Sequence, residues 1–190
     1  MAANPFAGTN SKPGHGTIKI SLLPPFKPVL EILSYQYPLK LIAPAPVEVH
    51  PTETTDLRDG DSTKPKARDG DDKEAIASAT RPHLVHTVFL LTYGGGLVAG
   101  DSIQLSTTLA PSTRLILLTQ GSTKIFKSPS PTTISRQHTT IDLHPGAALC
   151  YLPDPVQPFA DSAFEQVQIY NLIQSDNDRG KAEEDDKANL

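Results

Sequence analysis

The sequence predicts an all-β protein, arranged as a layered, β-solenoid-like stack of short strands. First, its 190 residues include 18 prolines and 12 glycines, a composition typical of short strands and turns. Second, apolar and polar residues alternate in many segments, which is the period of a half-buried strand, and no segment keeps a helical period over three turns. Third, one strand–turn–strand pattern occurs twice along the chain.

The repeated pattern covers residues 109–118 and 143–152, at an offset of 34 residues. Four positions coincide: Leu109 and Leu143, Pro111 and Pro145, Leu115 and Leu149, Leu118 and Leu152. Matched leucines favour stacked layers with one continuous core, in which all of them are buried. Two ordinary hairpins with similar turns are the alternative.

Taken in order, residues 1–16 are small and polar and predict a flexible N-terminus. A single β domain follows over 17–173, and its first strand, 17–23, shows the alternation of Ile18 and Ile20 with polar neighbours. Prolines at 24, 25 and 28 end that strand. Further strands are predicted at 29–37, 38–42, 84–92, 102–109, 114–120, 124–128, 132–143, 147–153 and 164–173.

Two segments have too few apolar residues to offset the entropy of ordering them. Residues 49–82 contain two Arg-Asp-Gly-Asp sequences, and we expect them to form a disordered insertion. Residues 174–190 are acidic and predict a tail.

Composition excludes several classes of function. A net charge of −4 gives no electrostatic basis for binding nucleic acid. No apolar run is long enough to span a membrane, and the start lacks the layout of a signal peptide. The single cysteine, Cys150, allows no internal disulfide, which fits a cytoplasmic location. Its apolar neighbours predict a buried, inert thiol.

Residues 93–101 hold four glycines and end at Asp101. Gly94-x-Gly96-x-x-Ala99 partly matches a dinucleotide fingerprint, but that fingerprint requires a following helix, and 102–109 alternates as a strand. The glycines therefore predict a close-packed connection between two strands, with Asp101 fixed at a strand edge.

Candidate metal ligands are sparse. His83 and His86 are three apart on an extended chain and point to opposite faces, which disfavours a shared metal. Asp101, Asp154 and Asp161 follow or precede glycine or proline turns and offer oxygen donors for a weakly held divalent ion; turn capping is favoured for Asp154. No nucleophile with a base is found, so the sequence predicts no enzyme.

Four segments together resemble the UreD/UreH family of urease accessory proteins. Residues 95–101 read Gly-Gly-Leu-Val-Ala-Gly-Asp, and 118–127 read Leu-Thr-Gln-Gly-Ser-Thr-Lys-Ile-Phe-Lys. Residues 152–155 read Leu-Pro-Asp-Pro, before a strand at 164–173, and 38–40 read Pro-Leu-Lys. The resemblance covers 30–42 and 84–173. It is fungal-like and implies a chain shortened at its C-terminus, because the family pattern continues past the strand at 164–173.

The resemblance implies a non-enzymatic chaperone that is needed to insert nickel into apo-urease. It implies complexes with UreF-type and UreG-type partners on apo-urease, transient passage of nickel through a water-filled interior, and no organic cofactor. Asp101 matches the family carboxylate and is assigned to nickel passage. Gly95, Gly96, Gly100, Ser122 and Lys124 match positions that shape the route or contact a subunit; a surface ion pair is the alternative for Lys124. A β-rich interaction module without a metal role is the alternative function.

We expect trypsin to cut the native protein first within 49–82, because a disordered segment is open to proteases. Arg58 and Arg68 are the diagnostic sites, and mass spectrometry of early fragments locates the cuts. Protection of both arginines would contradict the predicted disorder.

Overall fold

The computed structural model describes residues 12–50 and 83–174, and both segments consist mainly of strands. In chain order these are β1 (His15–Leu23), β2 (Lys27–Tyr35), β3 (Leu39–Ile42), β4 (Val47–Val49), β5 (His83–Thr92), β6 (Gly96–Leu97), β7 (Ser102–Leu109), β8 (Arg114–Thr119), β9 (Thr123–Ile125), β10 (Ser135–Leu143), β11 (Ala148–Leu152), β12 (Val156–Pro158) and β13 (Phe164–Leu172). One 3₁₀ turn, Tyr93–Gly95, is the only helical element in these segments. The all-β prediction is confirmed. No described helix has the length and apolarity to cross a membrane.

The strands form three sheets. The first has the order β13-β10-β7-β1-β2, and the second has the order β11-β8-β5-β3, with β4 also paired to β5. The third contains β12, β9 and β6. From β5 onward every pair between successive layers is parallel, whereas β2, β3 and β4 pair antiparallel with their neighbours.

From β6 onward the chain visits the third, first and second sheets in turn, and then repeats that order. The two copies of the repeat are consequently direct neighbours. Leu143 lies beside Leu109, and Leu149 and Leu152 lie beside Leu115 and Leu118. Within each copy the two strands belong to different sheets, so neither copy is a hairpin.

Alternation along the strands places the core between the sheets. In β7 the buried side chains are every second residue, from Ile103 to Leu109, and in β8 they run from Leu115 to Thr119. The inward faces form one aliphatic cluster: Ile18, Ile20, Leu39, Leu41, Val88, Leu90, Leu97, Ile103, Leu105, Leu109, Leu115, Leu117 and Ile125. Burying such surface is worth about 25 cal/mol per Å², so this cluster is the main source of stability.

Burial decreases from the first repeat copy to the second. Leu115 is 1% exposed, its neighbour Leu149 is half-buried, and Leu152 is 57% exposed. Leu149 faces the interior like Leu115, but among the described strands β11 has a neighbour on one side only, so Leu149 is less covered. Leu152 alternates with Leu149 and pairs with Leu118, so it lies on the outer face of the sheet. The expectation that all matched leucines are buried is therefore wrong: Leu118, Leu143 and Leu149 are half-buried, and Leu152 is exposed. Cys150, on the same strand, is exposed, which corrects the prediction of a buried thiol.

Three short strands, β4, β6 and β12, were not predicted, because two or three residues are too few to show alternation. β1 begins at His15, inside the segment expected to be flexible. The predicted insertion, 49–82, and tail, 174–190, lie outside the described residues except for Val49, His50 and Gln174.

The burial gradient gives a quantitative expectation. Leu115→Ala removes a fully buried side chain and should lower the free energy of unfolding by about 2–5 kcal/mol. Leu152→Ala, on the outer face of the second copy and 57% exposed, should change it by less than about 0.5 kcal/mol. Urea unfolding followed by circular dichroism measures both, and equal losses would contradict the layered core.

Candidate functional site

The third sheet brings together segments that are distant in the sequence. Its strands are Gly96–Leu97, Thr123–Ile125 and Val156–Pro158. Gly96 pairs with Lys124, and Lys124 pairs with Gln157. These strands belong to the glycine stretch, the Ser-Thr-Lys segment and the segment that follows Leu-Pro-Asp-Pro.

Gly96 is required at this position because the neighbouring backbone is too close for a side chain. A Cβ atom there would overlap the Lys124 carbonyl oxygen, and it would lie 2.9 Å from both Lys124 Cβ and Phe126 Cε2. Gly94 and Gly95 serve a different purpose: both have φ of 74°, with open space where a Cβ would be. Glycine therefore permits tight strand pairing at one position and left-handed turns at the other two.

A cavity of about 240 Å³ lies beside this sheet. Its lining includes Gly95 from the glycine stretch and Gly121, Ser122 and Thr123 from the second segment, next to Thr92. Ser122 is half-buried there. The structure thus brings the predicted residues Gly95 and Ser122 to one concave site.

Asp101 ends the glycine stretch and closes its turn. The Val98 amide donates a hydrogen bond to Asp101 Oδ2 at 3.0 Å, and the Asp101 amide donates to the Val98 carbonyl at 3.0 Å. The Asp101 carbonyl accepts from the Arg136 amide at 2.8 Å, at the start of β10. Gly100, with φ of 85°, makes the turn possible, and its Cβ position faces Thr133. Asp101 is therefore fixed, as predicted, and one of its carboxylate oxygens caps the turn.

Asp154 links one layer to the next. Its Oδ2 accepts hydrogen bonds from Thr119 Oγ1 at 3.0 Å and from the Gly121 amide at 2.8 Å. Its own amide donates to Thr119 Oγ1 at 2.6 Å. The preference for turn capping at Asp154 is thus supported, although the capped turn belongs to the preceding layer, 33 residues earlier.

Ser135 was not identified from the sequence. This buried serine donates a hydrogen bond from Oγ to the Val98 carbonyl at 2.8 Å, across 37 residues of chain. It therefore fixes the glycine stretch to β10. A lone serine at a strand start carries no local signal of such a contact.

Lys124 lies on β9 with an exposed side chain. The ion pairs of the described residues join Lys19 to Glu31 and Arg136 and His138 to Glu165. Within that part of the chain, the surface ion pair considered for Lys124 is therefore not formed. Its backbone packs against Gly96, and its side chain is exposed.

Several buried polar atoms have no hydrogen-bond partner among the described residues: His86 Nε2, Thr107 Oγ1, Arg114 Nε, Thr139 Oγ1 and the Tyr151 hydroxyl. Thr107 and Thr139 are inward-facing in the first sheet, whereas His86 and Tyr151 belong to the second. Burial raises the pKa of Tyr151, with a smaller contribution from Tyr170. Unpaired buried groups are costly and commonly bond ordered water, so the interior has polar positions suited to water.

Metal-ligating side chains do not cluster in the described residues, where no group of three or more His, Cys, Asp or Glu could hold a metal ion. His83 instead contacts Arg114 Nη2 at 3.2 Å. The described side chains therefore form no metal centre with three or more such ligands.

The model of the UreD urease accessory protein family matches residues 65–175, more than half of the chain. The chain belongs to the UreD family. The matched region contains all three segments that meet in the third sheet, so the family resemblance is confirmed.

Three curated relatives illustrate the similarity. Urease accessory protein 4 of Cryptococcus neoformans var. grubii is 30% identical over 151 residues, which cover 72% of this chain and 37% of that protein. UreD of Sorangium cellulosum is 40% identical over 79 residues, 42% of this chain and 24% of that protein. Urease accessory protein D of Arabidopsis thaliana is 34% identical over 90 residues, 47% of this chain and 30% of that protein. The chain thus spans about a quarter to just over a third of these relatives.

The close approach at Gly96 can be tested directly. Gly96→Ala forces a Cβ against the β9 backbone and should lower the free energy of unfolding by about 1–3 kcal/mol or more. Gly94→Ala is the matched control, since it meets only the cost of a left-handed backbone, about 1 kcal/mol. Chemical unfolding of the two variants measures the difference, and a Gly96 loss no larger than the Gly94 loss would contradict the close packing.

Proposed function

We propose that this UreD-family protein is a non-enzymatic urease accessory protein that acts in urease maturation, as a chaperone for nickel insertion into apo-urease. The observation that carries this proposal is the third sheet, where the three segments of the family pattern pair strand by strand around Gly96. Proteins with the same pattern carry the name urease accessory protein. We propose a cytoplasmic location with UreF-type and UreG-type proteins and apo-urease as partners.

We further propose that the fold is a short β-solenoid-like stack. Its support is the parallel pairing of equivalent strands in successive layers, with an offset of 34 residues between Ser102 and Arg136 and between Arg114 and Ala148. Each layer then extends the same interior, which contains the unpaired hydroxyls of Thr107 and Thr139 on neighbouring strands. A continuous interior of this kind suits the passage of a small hydrated ion.

In this function nickel is the cargo of the protein rather than its resident cofactor. The described residues contain no group of three or more His, Cys, Asp or Glu that could hold a metal ion, and a transported ion must be released, so weak contacts are appropriate. Buried Thr107, Thr139, His86 and Tyr151 supply unpaired oxygen and nitrogen atoms on both inward faces. Oxygen and imidazole donors suit divalent metals, and their separation prevents tight chelation.

Asp101 is the proposed carboxylate contact at the edge of this route. Among the described hydrogen bonds its side chain uses Oδ2 only, which leaves Oδ1 for a passing cation. The turn already fixes the Asp101 carboxylate, so a contact with nickel would cost little additional conformational entropy. Lys124, exposed on β9, is proposed to contact a partner subunit, because its charge has no partner in the described surface.

The alternative function, an interaction module without a metal role, is favoured by one observation: β13 exposes apolar side chains at a sheet edge, including Leu172 at 78% exposure. Such edges bind extended segments of other chains. The two functions predict different results when the Asp101 charge is removed.

Asp101→Asn should reduce urease activation while leaving the thermal midpoint nearly unchanged, because Asn keeps the cap on the Val98 amide but removes the charge. Activation is measured as urease activity in cells that express matched amounts of each variant with the remaining urease genes. Asp161→Asn is the control: Asp161 is exposed, and its contact to the Ser128 amide uses only its backbone carbonyl.

Asp101→Ala separates the two roles of the residue. Loss of the cap should lower the free energy of unfolding by roughly 0.5–2 kcal/mol, by analogy with helix caps. Full activation by Asp101→Asn together with instability of Asp101→Ala would reject the metal role and leave Asp101 structural.

A further inference from the structure

The loop between β9 and β10, residues 126–134, contains a motif that the proposed function does not use. Ser128 and Ser130 are each followed directly by a proline, and no other serine or threonine in the sequence is. Proline has no amide hydrogen and a fixed φ, so a protein kinase can select it at the position after the target serine. The sequence therefore offers two neighbouring acceptors to proline-directed kinases, without distinguishing between them.

This loop lies within the stack rather than at its last strand. On one side it contacts the turn of the preceding layer, where a Cβ on Gly100 would lie 3.5 Å from Thr133 Cγ2. On the other side it contacts the loop between β12 and β13, where the Ser128 amide donates to the Asp161 carbonyl at 2.8 Å. The exposure of the loop is therefore set by described layers on both sides of it.

The two serines differ in what their hydroxyl groups contact. Ser128 is 9% exposed, and its hydroxyl points to the carbonyl oxygens of Ser130 and Thr133, at 2.9 Å and 2.5 Å. A phosphate on Ser128 would be a buried anion that faces two carbonyl oxygens, which is strongly unfavourable. Ser128 is therefore a structural residue that closes the turn.

Ser130 has surroundings that can accept a phosphate. It is half-buried, and the prolines on either side of it, Pro129 and Pro131, are exposed. Its Oγ lies 2.9 Å from Thr132 Oγ1 and 3.0 Å from Thr133 Oγ1. Both neighbours are hydroxyls, which can donate hydrogen bonds to phosphate oxygens.

A cavity of about 490 Å³ beside Ser130 provides space for the added group. Its lining includes Lys127 and Asp161. Lys127 is exposed and takes part in none of the ion pairs of the described residues, so its ammonium group can attract a phosphate. The carboxylate of Asp161 opposes this attraction, so the threonine hydroxyls supply the specific contacts.

We infer that Ser130 is a phosphorylation site for proline-directed serine/threonine kinases and that Ser128 is not. ATP supplies the phosphoryl group. The bond from its γ-phosphorus to the bridging oxygen breaks, and a bond from that phosphorus to Ser130 Oγ forms. The hydroxyl proton passes to the base of the kinase, and ADP leaves. The phosphate adds a charge of about −1.5 to −2 at neutral pH, so the surface beside Lys127 becomes anionic.

The turn must open locally for the reaction, because a kinase holds its acceptor segment in an extended form. Opening breaks the hydrogen bond from the Thr133 amide to the Ser130 carbonyl, which is 3.1 Å long, and the contacts of the Ser128 hydroxyl. Such local opening leaves the sheets intact. Phosphate transfer to the native chain should therefore be slower than transfer to a free peptide of the same sequence.

Incubation of the native full chain with ATP and a mitogen-activated protein kinase or a cyclin-dependent kinase tests the inference. Trypsin releases residues 128–136 as one peptide, and its fragmentation in the mass spectrometer assigns the phosphate to one serine. We expect phosphate on Ser130, with at least about tenfold less on Ser128. In a synthetic peptide of residues 124–136, where no fold buries Ser128, both serines should accept phosphate.

Two proline variants form a matched pair. Pro131→Ala removes the proline after Ser130 and should lower incorporation into the native chain at least about tenfold, because the kinase loses an apolar contact. Pro129→Ala removes the equally exposed proline after Ser128 and should leave incorporation nearly unchanged. Ser130→Ala should abolish incorporation, and circular dichroism confirms that each variant keeps the fold.

The stability of the product gives an independent readout. The phosphorylated chain should keep its thermal midpoint nearly unchanged, because phosphate oxygens take the place of the Ser130 hydroxyl as partners of Thr132 and Thr133. Four results would each overturn the inference: no incorporation into the native chain by either kinase, equal incorporation at Ser128, full incorporation into Pro131→Ala, or loss of the fold on phosphorylation.

Discussion

Parallel pairing between successive layers is the interaction on which the rest of this structure depends. β7, β8 and β9 pair in parallel with β10, β11 and β12, respectively. The register of these pairs determines which side chains face the core and which segments meet in the third sheet. The inward side chains form one aliphatic cluster, although aliphatic and polar residues meet across the register, with Leu105 beside Thr139 and Thr107 beside Ile141. A shift of one strand by one residue would turn its buried leucines towards solvent. The loss of that burial would make the shifted register much less stable.

The corners between sheets are fixed by polar groups that reach across layers. Asp154 caps the turn at Gly121, Ser135 holds the Val98 carbonyl, and the Asp101 carbonyl accepts from Arg136. These contacts concentrate around the third sheet, where the strands are only two or three residues long. Short strands supply few ladder hydrogen bonds, so side-chain contacts are needed to hold the corner. One carboxylate, that of Asp101, can accordingly cap a turn through Oδ2 and, as proposed, contact a passing ion.

Burial of the inward side chains is lowest on the strands that have one described neighbour. Leu115 lies on β8, between β5 and β11, and is 1% exposed, whereas Leu149 on β11 is half-buried and Leu172 on β13 is 78% exposed. Cys150 and Leu152 are exposed for a different reason, because they lie on the outer face of β11. The described strands with a neighbour on each side therefore supply most of the core.

The local sequence pattern predicted the all-β class, most strand bounds and the fixed position of Asp101. These features depend on alternation and on glycine turns, each of which involves only a few neighbouring residues. The pattern also identified the UreD family through residues 95–101 and 118–127. Only the tertiary structure shows that the Lys124 backbone packs against Gly96, that Asp154 caps a turn 33 residues earlier, and that Leu149 lies on a strand with one described neighbour. These properties depend on which strands become neighbours. Alternation in the sequence indicates which side chains share a face, but not which residues cover that face.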